Sequence, residues 1–410
     1  MYTLPNGLRI LCAPSVTDVV YCGIAVAAGT RHELENESGM AHFVEHMTFK
    51  GTSRRSAMQV INHMESVGGD LNAFTGKEET VYYSVFLRQH LSRAIPLLMD
   101  IVFGSTYPED ELSREAEVVI DEIESYEDSP SELIFDEFDT LLFPEHPLGR
   151  NILGQAERLR QYRSDDLRSF ARRLYHPSRA VLFVVGNVDP SHVLQLATRA
   201  SAPICHSSEP IRHSSFVTRH SSSDPICHSP FVIRERGTHQ AHVIIGARAY
   251  AATDPRHMGL SLLSNLLGGP CMNSRLNIAL RERRGLVYTV ESNLASYTDT
   301  GSWSVYFGCD ASDVQRCLRL VRSELRRLTD KPLSERTLAA AKRQLKGQIG
   351  VSYDNFENVA IGMAKRYLHY GEVLTPEQLY ARIDVLTAQD LQAIAADVFA
   401  ADRLQTLVYR

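Results

Sequence analysis

Two short apolar runs open the chain, at residues 8–14 and 19–29, and their β-branched character reads as strands. The second is about half of what a membrane span needs. The pattern then changes to helical spacing after Gly39. A second helix, Ser56 to Val67, stops at Gly68-Gly69. Leu71-Asn-Ala-Phe-Thr and Val81-Tyr-Tyr-Ser-Val-Phe-Leu follow as aromatic and β-branched runs separated by polar residues, which predicts two strands joined by a turn. Helical periodicity returns at about 89–104, 109–127, 131–142 and 164–175, and a strand at 179–185 closes the set.

The second half repeats this plan. Residues 165–185, DDLRSFARRLYHPSRAVLFVV, align without gaps on residues 389–409, QDLQAIAADVFAADRLQTLVY. Asp166 meets Asp390, Leu167 meets Leu391, Ala171 meets Ala395, Arg179 meets Arg403 and Val184 meets Val408. A repeat of roughly 200 residues is far longer than a solenoid period. It predicts an α+β protein of two similar duplicated domains, each a mostly antiparallel sheet packed against helices. Between the halves, residues 203–230 turn abruptly to Ser, His and Pro, with PICHS repeated at 203 and 225 and His206, His213 and His220 seven apart. Such composition reads as a linker. The expected division is a first domain at 1–202, the linker at 203–230 and a second, similar domain at 231–410. A metal-storage or sensor role for the linker's histidines and cysteines is the competing reading.

Composition narrows the function. With 410 residues, 44% apolar and 22% charged, the chain has material for real cores. A net charge of −6 with interleaved signs offers no nucleic-acid face. The seven cysteines are odd in number and none stands in a CxxC pair, which fits free thiols in a reducing compartment. A strand beginning a few residues after Met1 leaves no room for a signal peptide, so a cytoplasmic protein without membrane association is expected.

The chemistry concentrates in GMAHFVEHMTFKGT, residues 39–52. His42 and His46, four apart on a helix, can turn both imidazoles to one ion. Glu45, next to His46, is placed to take a proton from water, the metallopeptidase division of labour with the usual His-Glu order inverted. Two such histidines also occur on ordinary helix faces, so a third ligand must decide. Candidates crowd the helix at 110–127, where Val118, Val119, Ile120 and Ile123 form an apolar stripe and Glu115 and Glu122, two turns apart, share a face beside it. Periodicity does not choose between them.

These stretches, with LNAFTGKEETVYY and Glu122 lying 76 residues beyond His46, resemble the inverted-zincin peptidases of the pitrilysin and insulin-degrading group. They are most similar to the branch containing the mitochondrial processing peptidase β subunit and its bacterial half-length relatives. The resemblance implies one zinc per chain held by His42, His46 and Glu122, Glu45 as the water-activating base, and Glu115 as an auxiliary glutamate holding Glu122 or the water network. In the second half, SRLNIALRERRGLVYTV is similar to the segment whose arginine and tyrosine reach the substrate, here Arg281 and Tyr288. Without the resemblance, these two would read as an exposed helix arginine and a core strand tyrosine.

The expected activity is a zinc-dependent endopeptidase acting on oligopeptides or presequence-like peptides. An extended peptide would pair with an edge strand at Asn72 and Ala73. The resemblance further implies a homodimer, with a heterodimer with an inactive homologue as the variant. The rival from another class is a non-catalytic scaffold of the same fold, whose motif residues are usually degraded.

Overall fold

The structure is a computed structural model that describes residues 1–202 and 231–410. The linker reading at 203–230 therefore lies outside the described residues. The first half runs β1 (Tyr2–Thr3), β2 (Arg9–Pro14), β3 (Val19–Val26), α1 (Met40–Thr48), α2 (Ala57–Glu65), β4 (Asp70–Thr75), β5 (Thr80–Leu87) and α3 (Leu91–Gly104). It continues with α4 (Glu109–Glu127), α5 (Pro130–Leu142), α6 (Ala156–Leu159), α7 (Ser164–Leu174), β6 (Ala180–Gly186) and α8 (Pro190–Ser201). The second half runs β7 (Phe231–Arg234), β8 (Ala241–Ala249), α9 (His257–Gly268), a π-helical segment (Asn277–Glu282), β9 (Val287–Ser296) and β10 (Gly301–Cys309). Helices α10 (Val314–Asp330), α11 (Glu335–Ser352), α12 (Phe356–Tyr370), α13 (Pro376–Asp384) and α14 (Ala388–Val398) precede β11 (Gln405–Tyr409).

The duplication is visible in the sheets. The first has strand order β1-β2-β6-β3-β5-β4 and the second β7-β11-β8-β10-β9. In each, the strand aligned by the sequence repeat, β6 or β11, enters between two earlier strands, parallel to one and antiparallel to the other. All other pairings are antiparallel. The fold is therefore α+β with two similar halves, as the repeat predicts.

Two sequence expectations shift. Strand β3 ends at Val26, because residues 27–29 leave the sheet to meet the β4–β5 turn: Thr30 N–H donates to the Gly76 carbonyl at 3.3 Å and Arg31 N–H to that of Lys77 at 2.8 Å. On α4 the buried stripe is Leu112, Ala116, Val119 and Ile120, while Val118 is exposed. Spacings of three and four keep that set on one face, and Val118 lies a third of a turn away. Helix α8 has no counterpart among the elements predicted from periodicity, although its start is signalled: Asp189 caps it, accepting from Ser191 N–H at 3.0 Å, and Pro190 occupies the first turn.

The halves also exchange a helix. The inner face of the first sheet (Ile10, Val20, Ile24, Tyr82, Leu182) packs on α1, α3 and α7 of its own half. Its other face (Leu11, Val81, Val181, Phe183) is covered by Ala360, Ala364 and Tyr367 of α12 from the second half. Reciprocally, α5 of the first half lays Leu133, Ile134 and Phe138 on Ile244, Tyr306 and Leu407 of the second sheet. Both sheets are thus buried on two faces, which explains the near-continuous apolar runs in β3 and β6.

Candidate metal centre

Helix α1 is a core helix with one polar stripe. Met40, Ala41, Phe43, Val44 and Met47 are almost wholly buried, leaving His42, Glu45 and His46 on the remaining side. Gly39 precedes the helix at φ 77°, and a Cβ there would lie 2.6 Å from the Leu153 carbonyl oxygen, so glycine is required. Having no side chain of its own, this N-cap is served from outside. The buried Glu33 carboxylate accepts from Ala41 N–H at 2.9 Å and from Gly39 N–H at 3.3 Å.

Helix α4 crosses α1 and brings its carboxylates to this stripe. Glu122 Oε2 lies 3.7 Å from His42 Nε2 and 3.6 Å from His46 Nε2. The three ligand atoms all fall within 4.8 Å of one another. Donors about 2 Å from a tetrahedral zinc stand roughly 3.4 Å apart, so the separations suit a single ion. The electrostatics agree. Burial and the neighbouring His46 pull His42 down to about 3, so it is a neutral imidazole with a lone pair to give. Burial would also lower His46, but the Glu115 hydrogen bond and the charges of Glu45, Glu115 and Glu122 outweigh it and raise its pKa, a surrounding that favours a cation. The Nδ1 atom of His42 is buried without a protein hydrogen-bond partner.

Glu115 sits on His46: its Oε1 is 3.0 Å from His46 Nδ1, and Lys50 Nζ pairs with its Oε2. A carboxylate on Nδ1 holds that nitrogen as the N–H donor and leaves Nε2 bare toward the cluster. Burial alone would raise Glu115, yet His46 and Lys50 keep its pKa below the ordinary carboxylate value.

Glu45 is buried beside the cluster, and its Oε2 accepts from Thr75 Oγ1 at 2.6 Å. Burial raises its pKa, with Thr75 and His46 opposing, which moves the carboxylate toward useful basicity near neutral pH. Thr75, Glu33 and Lys50 are residues the sequence reading passed over. Only Thr75 had a readable signal, since alternation along β4 puts it on the same face as Leu71 and Ala73, which pack on the α1 side.

Strand β4 is the end strand of its sheet, with Asn72 exposed and Ala73 half-buried. Arg281 and Tyr288 meet each other, the guanidinium 5.4 Å from the ring centroid, on the wall of a cavity of about 430 Å³. Tyr288 is 79% exposed, so it is no core tyrosine. Among the described residues, no hydrogen bond, ion pair or ring contact joins this pair to His42, His46 or Glu122.

Two family models match the chain, and the boundary between them falls inside the first half. Residues 9–156 match the family model described as Insulinase (Peptidase family M16), and residues 162–345 match that described as Peptidase M16 inactive domain. The uncharacterized zinc protease YmxG of Bacillus subtilis is 31% identical over 409 residues, covering 99% of this chain and 97% of its own. An uncharacterized zinc protease of Streptomyces coelicolor is 33% identical over 398 residues, covering 97% and 86%. Among solved structures, a protease from Helicobacter pylori superposes with a TM-score of 0.87 at 21% identity, over 100% of this chain and 98% of that one. The peptidase M16 inactive domain from Pseudomonas fluorescens gives 0.86 at 20%, over 100% and 97%, so the fold extends across both halves. An end-to-end likeness at this identity, with the two family models lying side by side along one chain, means that the chain belongs to peptidase family M16.

Proposed function

We propose that the chain is a zinc-dependent endopeptidase acting on oligopeptides and unfolded, presequence-like segments, with one zinc per chain held by His42, His46 and Glu122. The observation that carries this reading is the convergence of two bare imidazole nitrogens and a carboxylate oxygen beside a buried glutamate. Zinc bound there would act as a Lewis acid toward the scissile carbonyl and bring the pKa of water toward 7. Glu45 takes the proton of the attacking water and delivers it to the leaving amine, a transfer suited to a carboxylate whose pKa burial has raised. Thr75 fixes the Glu45 carboxylate, and Glu115 fixes the ring of His46.

Substrate would add to the free edge of β4 at Asn72 and Ala73 through main-chain hydrogen bonds, which calls for an extended peptide. Arg281 and Tyr288 are assigned to the far side of that peptide. The exposure of Tyr288, with half-buried Arg281 beside it on the same cavity wall, fits a surface that meets substrate across a gap. Two chains would enclose the peptide as a homodimer, or one chain with an inactive homologue as a heterodimer. Static light scattering at micromolar concentration should give twice the chain mass, and a monomer would sink the homodimer. The five described cysteines are free, which supports a reducing, cytoplasmic setting. Among the described residues no helix is long and apolar enough to cross a membrane.

The deciding experiment measures metal content and cleavage of a quenched fluorescent peptide library for wild type and Glu45→Gln. Both should hold about one zinc per chain, and only wild type should cut. If both hold zinc and neither cuts, the scaffold or heterodimer reading takes over. If neither holds metal, the cluster is no metal site.

A further inference from the structure

A cavity of about 550 Å³ opens in the second half between residues 275–283, the end of α10 and the start of α11. It shares no lining residue with the Arg281–Tyr288 cavity or with the metal-ligand cluster. Its walls oppose the overall charge of the chain. Arg275, Arg283, Arg327 and Lys331 face two carboxylates, Glu324 and Asp330. Arg327 is committed to Glu324 at 2.6 Å. That leaves Arg275, Arg283 and Lys331, for which no ion pair or side-chain hydrogen bond exists among the described residues.

Two parts of the second half bring these cations together: Arg275 and Arg283 flank the 277–282 segment, and Lys331 follows α10. The 277–282 segment is π-helical, with Arg283 N–H donating to the Ile278 carbonyl at 3.1 Å. Arg275 and Arg283 line this cavity, while Arg281 lines the neighbouring one. Arg275 is half-buried, and burial lowers its pKa, with Glu324 pulling back and Arg327 adding to the fall. A guanidinium placed in this way is short of negative charge, and a bound anion would supply it.

We propose that this cleft is a binding site for a small phosphate-bearing molecule, its phosphate held by Arg275, Arg283 and Lys331. Guanidinium forks match phosphate oxygens in pairs, and a dianion suits three cations set against one remaining carboxylate. The volume exceeds that of phosphate alone and falls in the small-molecule range of roughly 300–1,000 Å³. The organic remainder has Ile278, Ala279 and Leu333 to lie against. The N-terminus of α11, capped by Ser334, adds a favourable dipole at the rim.

The test is isothermal titration calorimetry of the full chain with pyrophosphate, inorganic phosphate and citrate, against sodium chloride at matched ionic strength. Pyrophosphate should bind one per chain. Lys331→Ala and Arg283→Ala, both exposed positions that should not disturb folding, should each weaken it about tenfold or more. Arg336→Ala, exposed on α11 but outside the cavity, should leave it unchanged. No binding beyond the chloride control, or binding indifferent to Lys331→Ala and Arg283→Ala, overturns the site. Citrate bound as tightly as pyrophosphate overturns its assignment to phosphate.

Discussion

Glu115 and Glu122 occupy one face of one helix, and what separates their roles is depth. Glu115 is 5% exposed and locked between His46 and Lys50, whereas the Glu122 side chain is 46% exposed and free to approach both imidazoles. The same logic applies to Glu45, whose orientation depends on a single hydroxyl. Thr75→Val keeps the shape and removes the donor, so it should lower kcat by about ten- to hundredfold with little change in KM. Thr75→Ser should restore most of the rate. Steady-state kinetics on the peptide substrate decide this, and a valine variant as fast as wild type would remove Thr75 from the positioning of Glu45.

At the scale of the element, α1 is a nine-residue helix whose first turn depends on a residue outside it. Glu33 satisfies two of the N–H groups that Gly39 cannot cap. Glu33→Ala should destabilise the fold by about 1–2 kcal/mol and weaken zinc binding, because fraying the first turn displaces His42 first. Urea denaturation combined with a zinc competition assay would show both effects. Stability lost without any loss of zinc affinity would mean that the cap serves the fold alone. The strand pair shows a comparable dependence. The β4–β5 turn is Gly76-Lys-Glu-Glu79, and all three of its charged residues are buried. That is tolerable only because each finds a partner: Lys77 the Arg150 carbonyl, Glu78 Arg31 and Thr298, and Glu79 Lys365 and His369.

For the whole molecule, this turn and the exchanged helices join the halves. Glu79 reaches α12 through Lys365 at 2.6 Å and His369 at 2.8 Å, while Thr298 Oγ1 donates to Glu78 at 2.6 Å. Burial would raise the Glu79 pKa, but the His369 hydrogen bond and the Lys365 charge more than offset it and hold it below its ordinary 4.5. With a depressed folded-state pKa, the unfolded chain takes the proton first. The contribution to stability is therefore present above pH 4.5 and is lost as pH falls below it. Glu79→Gln should cost about 3 kcal/mol at pH 7 and make the acid limb shallower. Thermal melts of both proteins between pH 3 and 7 check this, and parallel acid limbs would dissociate Glu79 from the acid response.

Local pattern carried much of the architecture. Strand and helix periods place β2 to β5, α1 to α5, α7 and β6, and the 165–185 repeat predicts the duplicated sheet. Spacing also put His42, Glu45 and His46 on one side of a helix, since i, i+3 and i+4 are helical neighbours whatever surrounds them. Depth is set between elements, and that is where the sequence stopped. Only the crossing of α4 over α1 separates Glu122 from Glu115, only the β4 to α1 packing gives Thr75 to Glu45, and only the exchange of α5 and α12 covers both sheets. Each of these joins residues far apart in the chain, and a periodicity has no means of choosing such partners.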